Sequence, residues 1–313
     1  MWSRTHVTRG GRCLAVLLLV VVTLGAGLSQ PATAQAVTLS GVTGKVTNAG
    51  GINLRTRASW SGPVIVALPN GTKLTITGTS SDWFKVTALG KTGYVNSWFV
   101  TLDGTPSREI YRGNTKRKMI ALTFDAGADL GHTEQIIEIL EEYEIPASFG
   151  LTGSWISKYP DYAAWIAADG NQILNHTLNH PSFTGTSDPS GPISPAKRLS
   201  QLAANETKIR GIGGKTSKPY WRPPFADRDW SVLRDVGAAG YSKTVLWTID
   251  TMGWNGATTD QIYQKVVGGA GNGVIVLMHV GAASHDAAAL ERIIQTLRAR
   301  GYAFGTVAEV IAP

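Results

Sequence analysis

The stretch from Met119 to Asp129, Met-Ile-Ala-Leu-Thr-Phe-Asp-Ala-Gly-Ala-Asp, limits the possible folds more than any other. Its first six residues are mostly apolar and rich in strand formers, without the polar alternation of a half-exposed strand. Such a segment is buried on both faces, which points to a parallel sheet covered by helices. Asp125 then falls where the strand stops. In parallel α/β folds the carboxyl ends of strands deliver side chains from a rigid scaffold into a cleft open to solvent. Taken alone, Asp125 reads more simply as a loop cap. The rest of the chain changes that balance.

At 313 residues with 43% hydrophobic side chains, the chain has room for one large domain and one small one, each with a proper core. The N-terminus carries Arg4, Arg9 and Arg12, an apolar run from Leu14 to Leu28, and then Pro-Ala-Thr-Ala-Gln-Ala. That layout predicts a secretory signal peptide over residues 1–36, cleaved after Ala34 or Ala36, and hence no membrane anchor after cleavage. The single cysteine, Cys13, would leave with it, so thiol chemistry and disulfides are not expected in the mature protein. Cleavage removes three arginines and no acids, lowering the formal charge from +7 to +4. A mildly basic chain suits an anionic wall polymer and gives no case for nucleic acid.

From Gly44 to Thr101 short strands alternate with Gly, Asn and Ser turns: Ile52–Arg55, Val64–Leu68, Lys73–Ile76, Trp83–Val86 and Thr92–Val95. Such spacing predicts a small β-barrel. The order Leu-Arg-Thr-Arg, Val-Ile-Val-Ala-Leu-Pro-Asn-Gly, Trp-Phe-Lys-Val, Gly-Lys-Thr-Gly-Tyr-Val resembles the bacterial Src-homology-3-like domain of wall enzymes, whose members commonly bind wall peptide or polymer. Lys45, Arg55, Arg57, Lys73, Lys85 and Lys91 face only Asp82 in this segment, which suits an anionic partner. Its aromatics Trp60, Trp83, Tyr94 and Trp98 are expected in the barrel core.

Residues 102–117 are polar and basic with Gly104, Pro106 and Gly113, and read as a linker. Beyond them the periodicity changes. Ile136, Ile139, Leu140 and Tyr143 form one helical stripe, and Leu290, Ile293, Ile294 and Leu297 another. Strand-like runs at 147–151, 172–175, 243–247 and 273–278 fall between helices. The alternation predicts an α/β domain over residues 118–313 with a parallel sheet or barrel.

Chemistry-bearing residues collect at the ends of those runs. His176 and His180, in His-Thr-Leu-Asn-His-Pro, have the i, i+4 spacing that places two imidazoles on one face of a helical turn, within reach of one metal ion. Arg222 lies in a turn stiffened by Pro223 and Pro224, after Tyr220 and Trp221, and an arginine so held can orient a carboxylate. Asp250 and Trp254 close another strand. An indole there either stacks on a sugar ring or packs beneath a barrel rim. The run 273–278 delivers His279, followed by Asp286, which either caps the next helix or steers His279.

These five segments, in this order over roughly residues 118–310, resemble the polysaccharide deacetylase (NodB-homology) family of carbohydrate esterases. The resemblance implies an irregular (β/α) barrel. It casts Asp125 as catalytic base, His176 and His180 as metal ligands and Arg222 as the group holding the base. His279 becomes the general acid, and the Phe225 backbone amide contributes to an oxyanion hole. Two departures stand out. The family usually has a second Asp directly after the base as third metal ligand, where this chain has Ala126. It also usually has Asp before the fourth-motif Trp, where this chain has Gly253. Asp129 is the expected replacement ligand, unless it caps the helix starting near His132, and Asp286 is the expected partner of His279.

The combined expectation is a secreted, wall-associated enzyme that uses a divalent metal, zinc first, to remove N-acetyl groups from an acetylated polysaccharide such as peptidoglycan or a chitin-like glycan. The small barrel would bind the bacterial cell wall. Tyr220, Asp250 and Trp254 are the expected substrate contacts. The alternatives are an O-acetyl xylan esterase or linear amide hydrolase using the same site, and a non-catalytic glycan-binding protein.

Overall fold

A computed structural model describes residues 37–313; the signal-peptide reading falls on residues 1–36, outside the described residues. Seven antiparallel strands form the first sheet: β1 (Val37–Val46), β2 (Ile52–Arg55), β3 (Val64–Leu68), β4 (Lys73–Ser80), β5 (Trp83–Ala88), β6 (Lys91–Asn96) and β7 (Val100–Leu102), in the order β3-β2-β6-β5-β4-β1-β7. Alternate residues of β4 and β5 point inward, so Leu74, Ile76, Phe84 and Val86 meet Val42, Val46, Leu54 and Val95 in one core. Strand β1 starts seven residues before the expected boundary at Gly44. Its Val-Thr-Leu-Ser-Gly-Val pattern hides the strand behind small polar residues and an irregularity in its pairing with β4. Two aromatics expected in the core are at the surface. Trp83 is 6% exposed, whereas Trp60 and Trp98 are 62% and 48% exposed. Trp60 instead lies edge-on to Trp83 at 5.0 Å, with the Arg55 guanidinium 6.0 Å from its ring.

The second sheet is parallel and contains β8 (Arg108–Ile110), β9 (Met119–Ala126), β10 (Ser148–Leu151), β11 (Gln172–Asn175), β12 (Tyr220–Trp221), β13 (Lys243–Val245), β14 (Ile249–Asp250), β15 (Ile275–His279) and β16 (Ala303–Phe304). The main path runs β14-β15-β9-β10-β11-β12-β13-β8, with β16 added beside β9. Among the described residues no strand pair joins β8 to β14, so the sheet is a curled barrel open at one seam. Residues Ile120 to Ala126 of the central strand are all buried, as an apolar run covered on both faces requires. The covering helices are α1 (Thr133–Glu142), α2 (Gly153–Lys158), α3 (Pro160–Ala168), α4 (Pro195–Arg210), α5 (Trp230–Ala238), α6 (Thr259–Gly269), α7 (Asp286–Ala299) and α8 (Val307–Val310). The predicted stripes sit where expected, with Ile136 and Leu140 of α1 and Leu290, Ile293, Ile294 and Leu297 of α7 buried against β9 and β15. Among the described residues no helix is long and apolar enough to cross a membrane.

The stretch expected to be a linker does a different job. Arg108–Ile110 pairs in parallel with β13 and becomes the edge strand of the second sheet. Its Arg-Glu-Ile composition gives no strand signal, because an edge strand needs only one inward side chain, here Ile110. The two sheets are also joined laterally. Helix α4, capped by Ser194 with Pro195 in its first turn, buries Ala196 and Leu199 in the same apolar cluster as the antiparallel barrel. The Ala196 amide donates to Ser97 Oγ at 3.2 Å, and Lys197 pairs with Asp82 at 3.2 Å. A second contact comes from α5, whose Ala238 packs against the same apolar cluster. The same helices are locked together by the buried Arg198–Asp235 pair, 2.8 Å apart.

The small barrel is thus part of one packed body with the α/β domain. Leu199→Ala should cost about 2 to 4 kcal/mol, the usual range for truncating a buried leucine. Removing residues 37–101 should lower the melting temperature of the remainder by about 5 °C or more, because it bares Ala196 and Leu199. Thermal unfolding followed by circular dichroism checks both. An unchanged melting temperature in the truncated chain would show the two parts to be independent.

Candidate functional site

The carboxyl ends of β9, β11, β12 and β15 converge on one cleft of about 710 Å³. Asp125 sits near the end of β9, and register places it beside Gly150 on one neighbour and His279 on the other. Gly150 leaves the space that the Asp125 carboxylate occupies; an added Cβ would run into its Oδ1. Asp125 is 8% exposed, and Arg222 is fully buried beneath it. The guanidinium donates from Nη1 to Asp125 Oδ1 at 2.8 Å, from Nη2 to Thr123 Oγ1 at 2.9 Å and from Nε to the Val245 carbonyl at 3.3 Å. Burial pushes the Asp125 pKa up, but opposing effects, led by the charge of Arg222 and joined by its hydrogen bond, outweigh it and hold the carboxyl below its usual value.

The histidine pair is close together, but not by the expected route. Residues 176–180 form a bend with Thr177 and His180 in left-handed backbone conformation (φ 67° and 61°), and no helical turn. Helical spacing is therefore a coincidence of numbering here; the bend does the bringing together. It is built on Asn175, which accepts from the Thr177 amide at 3.0 Å and donates to the Leu202 carbonyl at 3.0 Å and to Tyr241 Oη at 2.7 Å. His176 Nδ1 lies 2.9 Å from the Arg222 carbonyl, which can only accept, so the proton is on Nδ1 and Nε2 keeps its lone pair. His180 Nε2 is 3.1 Å from that Nε2, and Asp125 Oδ2 is 3.6 Å from it. Burial lowers the pKa of both imidazoles, that of His180 to about 3.

Two neutral imidazoles, His176 buried and His180 half-buried, with facing Nε2 atoms suit a divalent metal of intermediate softness such as zinc. The third donor is a different matter. Among the described residues no group of three or more His, Cys, Asp or Glu side chains is placed to hold one metal ion. Asp129 lines the same cleft, yet its Oδ1 accepts from the Ala282 amide at 2.8 Å, and its carbonyl accepts from Trp155 Nε1 at 2.9 Å. It holds two loops together and is not part of the imidazole pair. Nor does it cap α1, whose N-cap position is His132 and which has no side-chain cap.

The remaining expected residues divide. His279, Trp254, Asp250 and Phe225 line the cleft. Trp254 is half exposed, its ring 6.3 Å from that of His279. Phe225 holds left-handed backbone angles (φ 56°, ψ 16°), costly for a bulky residue and imposed here by the Pro223-Pro224 turn, with its ring 4.6 Å from His180. Asp250 accepts from the Met252 amide at 2.8 Å. Tyr220 stays out of the cleft lining. It packs against the cluster formed by Ile110, Leu174, Val245 and Val307. Sequence reasoning missed Thr123, Gly150 and the cleft residues Trp247 and Leu277. Thr123 and Gly150 look like ordinary strand positions, and nothing in one sequence marks them as supports of a carboxylate.

The polysaccharide deacetylase family model matches residues 112–244, and the bacterial SH3 domain model matches residues 50–101. A peptidoglycan-N-acetylglucosamine deacetylase of Bacillus cereus is 31% identical over 229 residues, covering 71% of this chain and 95% of that protein. The uncharacterised protein YlxY of Bacillus subtilis is 30% identical over 212 residues, 68% of this chain and 63% of its own length. Among solved structures, a CE4 family pseudoenzyme from Bacillus anthracis matches with a TM-score of 0.60 at 24% identity, covering 68% of this chain and 75% of that one, which shows a shared fold. The chain therefore belongs to the polysaccharide deacetylase family, with a bacterial SH3 domain ahead of its deacetylase domain.

Proposed function

We propose that this protein is a secreted, wall-associated and metal-dependent deacetylase that hydrolyses N-acetyl groups of a wall glycan. One observation carries the reading: a carboxylate kept ionised by a buried arginine lies between a pair of neutral imidazoles and a histidine on the adjacent strand. Asp125 accepts the proton of the attacking water, and Arg222 keeps it oriented and free of a proton beforehand. His279, across the cleft, protonates the departing amine. The Phe225 amide stabilises negative charge on the acetyl oxygen, and Trp254 offers a flat apolar face to a sugar ring. His176 and His180 would hold a divalent ion, zinc before others, which when bound would supply Lewis acidity toward the acetyl carbonyl and water. The SH3 domain, basic apart from Asp82, docks the body on the wall in a fixed orientation.

The second reading, a glycan-binding protein without turnover, rests on Ala126, which is fully buried and has no donor atom where the family usually has an Asp. Acetate release decides between them. Peptidoglycan, N-acetylated chitin oligomers and acetylxylan are assayed side by side with zinc present. Release from the first two and not the third is expected, and Asp125→Asn should lower it by about 1000-fold or more while folding and zinc content persist. Release absent on every substrate would establish the binding protein, and an equally active Asp125→Asn would remove Asp125 from its role.

Metal affinity tests the ligand assignment separately. His180→Ala should weaken zinc binding by about 100-fold or more, while Asp129→Ala should change it by less than about 10-fold, since Asp129 is engaged with Ala282. Isothermal titration measures both. A comparable loss in Asp129→Ala would make that carboxylate the missing ligand.

A further inference from the structure

Gly253 lies where no side chain fits, because another residue's carboxylate already fills the space. A Cβ built on it would stand 2.8 Å from both Cγ and Oδ2 of Asp286 and 2.5 Å from Ser284 Oγ. Asp286 is fully buried at the first position of α7. Its Oδ2 accepts from the His279 amide at 2.9 Å and from Ser284 Oγ at 2.7 Å, so the carboxylate sits directly behind the end of β15. Its Oδ1 is buried without a hydrogen-bond partner, and so is Nδ1 of His279. One is an acceptor, the other a nitrogen able to carry a proton, and they belong to residues already joined through the His279 amide. Buried polar atoms left unpaired are costly, and pairing these two with each other would satisfy both. Burial raises the pKa of Asp286, an effect opposed by the Ser284 and Thr251 hydroxyls and the His279 amide.

We infer that Asp286 is the positioning residue of His279, fixing its proton on Nδ1 and aiming Nε2 into the cleft, and that the glycine at 253 is what admits its carboxylate. For catalysis the inference rests on the proposed deacetylase reading. The arrangement of the ring does not. The plainer role, clamping the turn between β15 and α7, needs an acceptor oxygen but no charge.

The test uses the full chain labelled with ¹⁵N at histidine, with the His279 ring signals identified by their loss in His279→Gln. In the wild type the ring nitrogens should report a proton on Nδ1 and a bare Nε2. Asp286→Asn keeps the shape and one acceptor oxygen, and should give a mixture of tautomers. Gly253→Asp combined with Asp286→Ala returns a carboxylate to the same space from the other side and should restore the Nδ1 proton. In turnover assays Asp286→Asn should lower kcat by at least about 10-fold with KM within about twofold, and the double variant should recover most of it. Wild-type tautomer and kcat in Asp286→Asn would overturn the inference, as would a double variant that folds yet leaves the ring mixed. If the wild type releases no acetate, the deacetylase reading fails, and the ring nitrogens still decide the role of Asp286.

Discussion

A fully buried arginine holding a nearly buried carboxylate is the interaction on which the rest of this site depends. Arg222 receives its fixed place from the sheet: its amide donates to the Asn175 carbonyl at 2.9 Å, and its side chain reaches two other strands through Asp125, Thr123 and the Val245 carbonyl. Its own carbonyl then sets the tautomer of His176. One residue therefore fixes both the charge of Asp125 and the lone-pair direction of His176. Such a pair is weak evidence for stability, because desolvating both charges offsets much of their attraction. Losing one partner is another matter and typically costs about 3 to 5 kcal/mol. The arrangement makes sense as a device for keeping a carboxylate ionised in a cleft whose walls are largely apolar.

Around that pair, the parallel sheet supplies precision. Register puts Asp125 between Gly150 and His279, so the proposed base and acid arise from adjacent strands without any loop having to fold to bring them together. The His176–His180 bend is the exception. It is irregular, includes two left-handed residues, and is held by Asn175 and by Asn205, which donates to Asn175 Oδ1 at 3.0 Å. Strain of this kind persists where surrounding bonds over-determine it. The antiparallel domain is fused to this scaffold through α4 and α5, which fixes the direction in which a wall surface would meet the cleft.

Much of this was legible beforehand, and the reasons are physical. Strand β11 and the β2 and β3 strands lie at their predicted limits, because apolar runs bounded by turn residues leave few alternatives. Asp125, His176, His180, Arg222, Phe225 and His279 meet at one site, because strand ends in a parallel sheet share an edge. The misses come from residues whose role depends on partners far along the chain. Helix α4 was not anticipated, since Arg198, Asn205 and Glu206 are buried and break the apolar stripe that periodicity detects. The edge strand β8 reads as polar linker. Tyr220 points to the same side as Arg222, but it lies two residues further from the strand's carboxyl end and packs inside the sheet with Ile110, Leu174 and Val245 instead of reaching the cleft. Gly253 and Asp286 show the same point most sharply, for an apparent loss at one position is filled by a carboxylate 33 residues further along.

The central claim, that Arg222 keeps Asp125 ionised within the cleft, is tested most directly by the titration of Asp125 itself. Carboxyl ¹³C signals of metal-free wild type and Arg222→Met, with Asp125 identified through Asp125→Asn, follow it across the acid range. The account predicts that Asp125 titrates below the ordinary aspartate value in the wild type, and above it in Arg222→Met, where burial acts without its main counter-charge. The same titration curve in both proteins would contradict it.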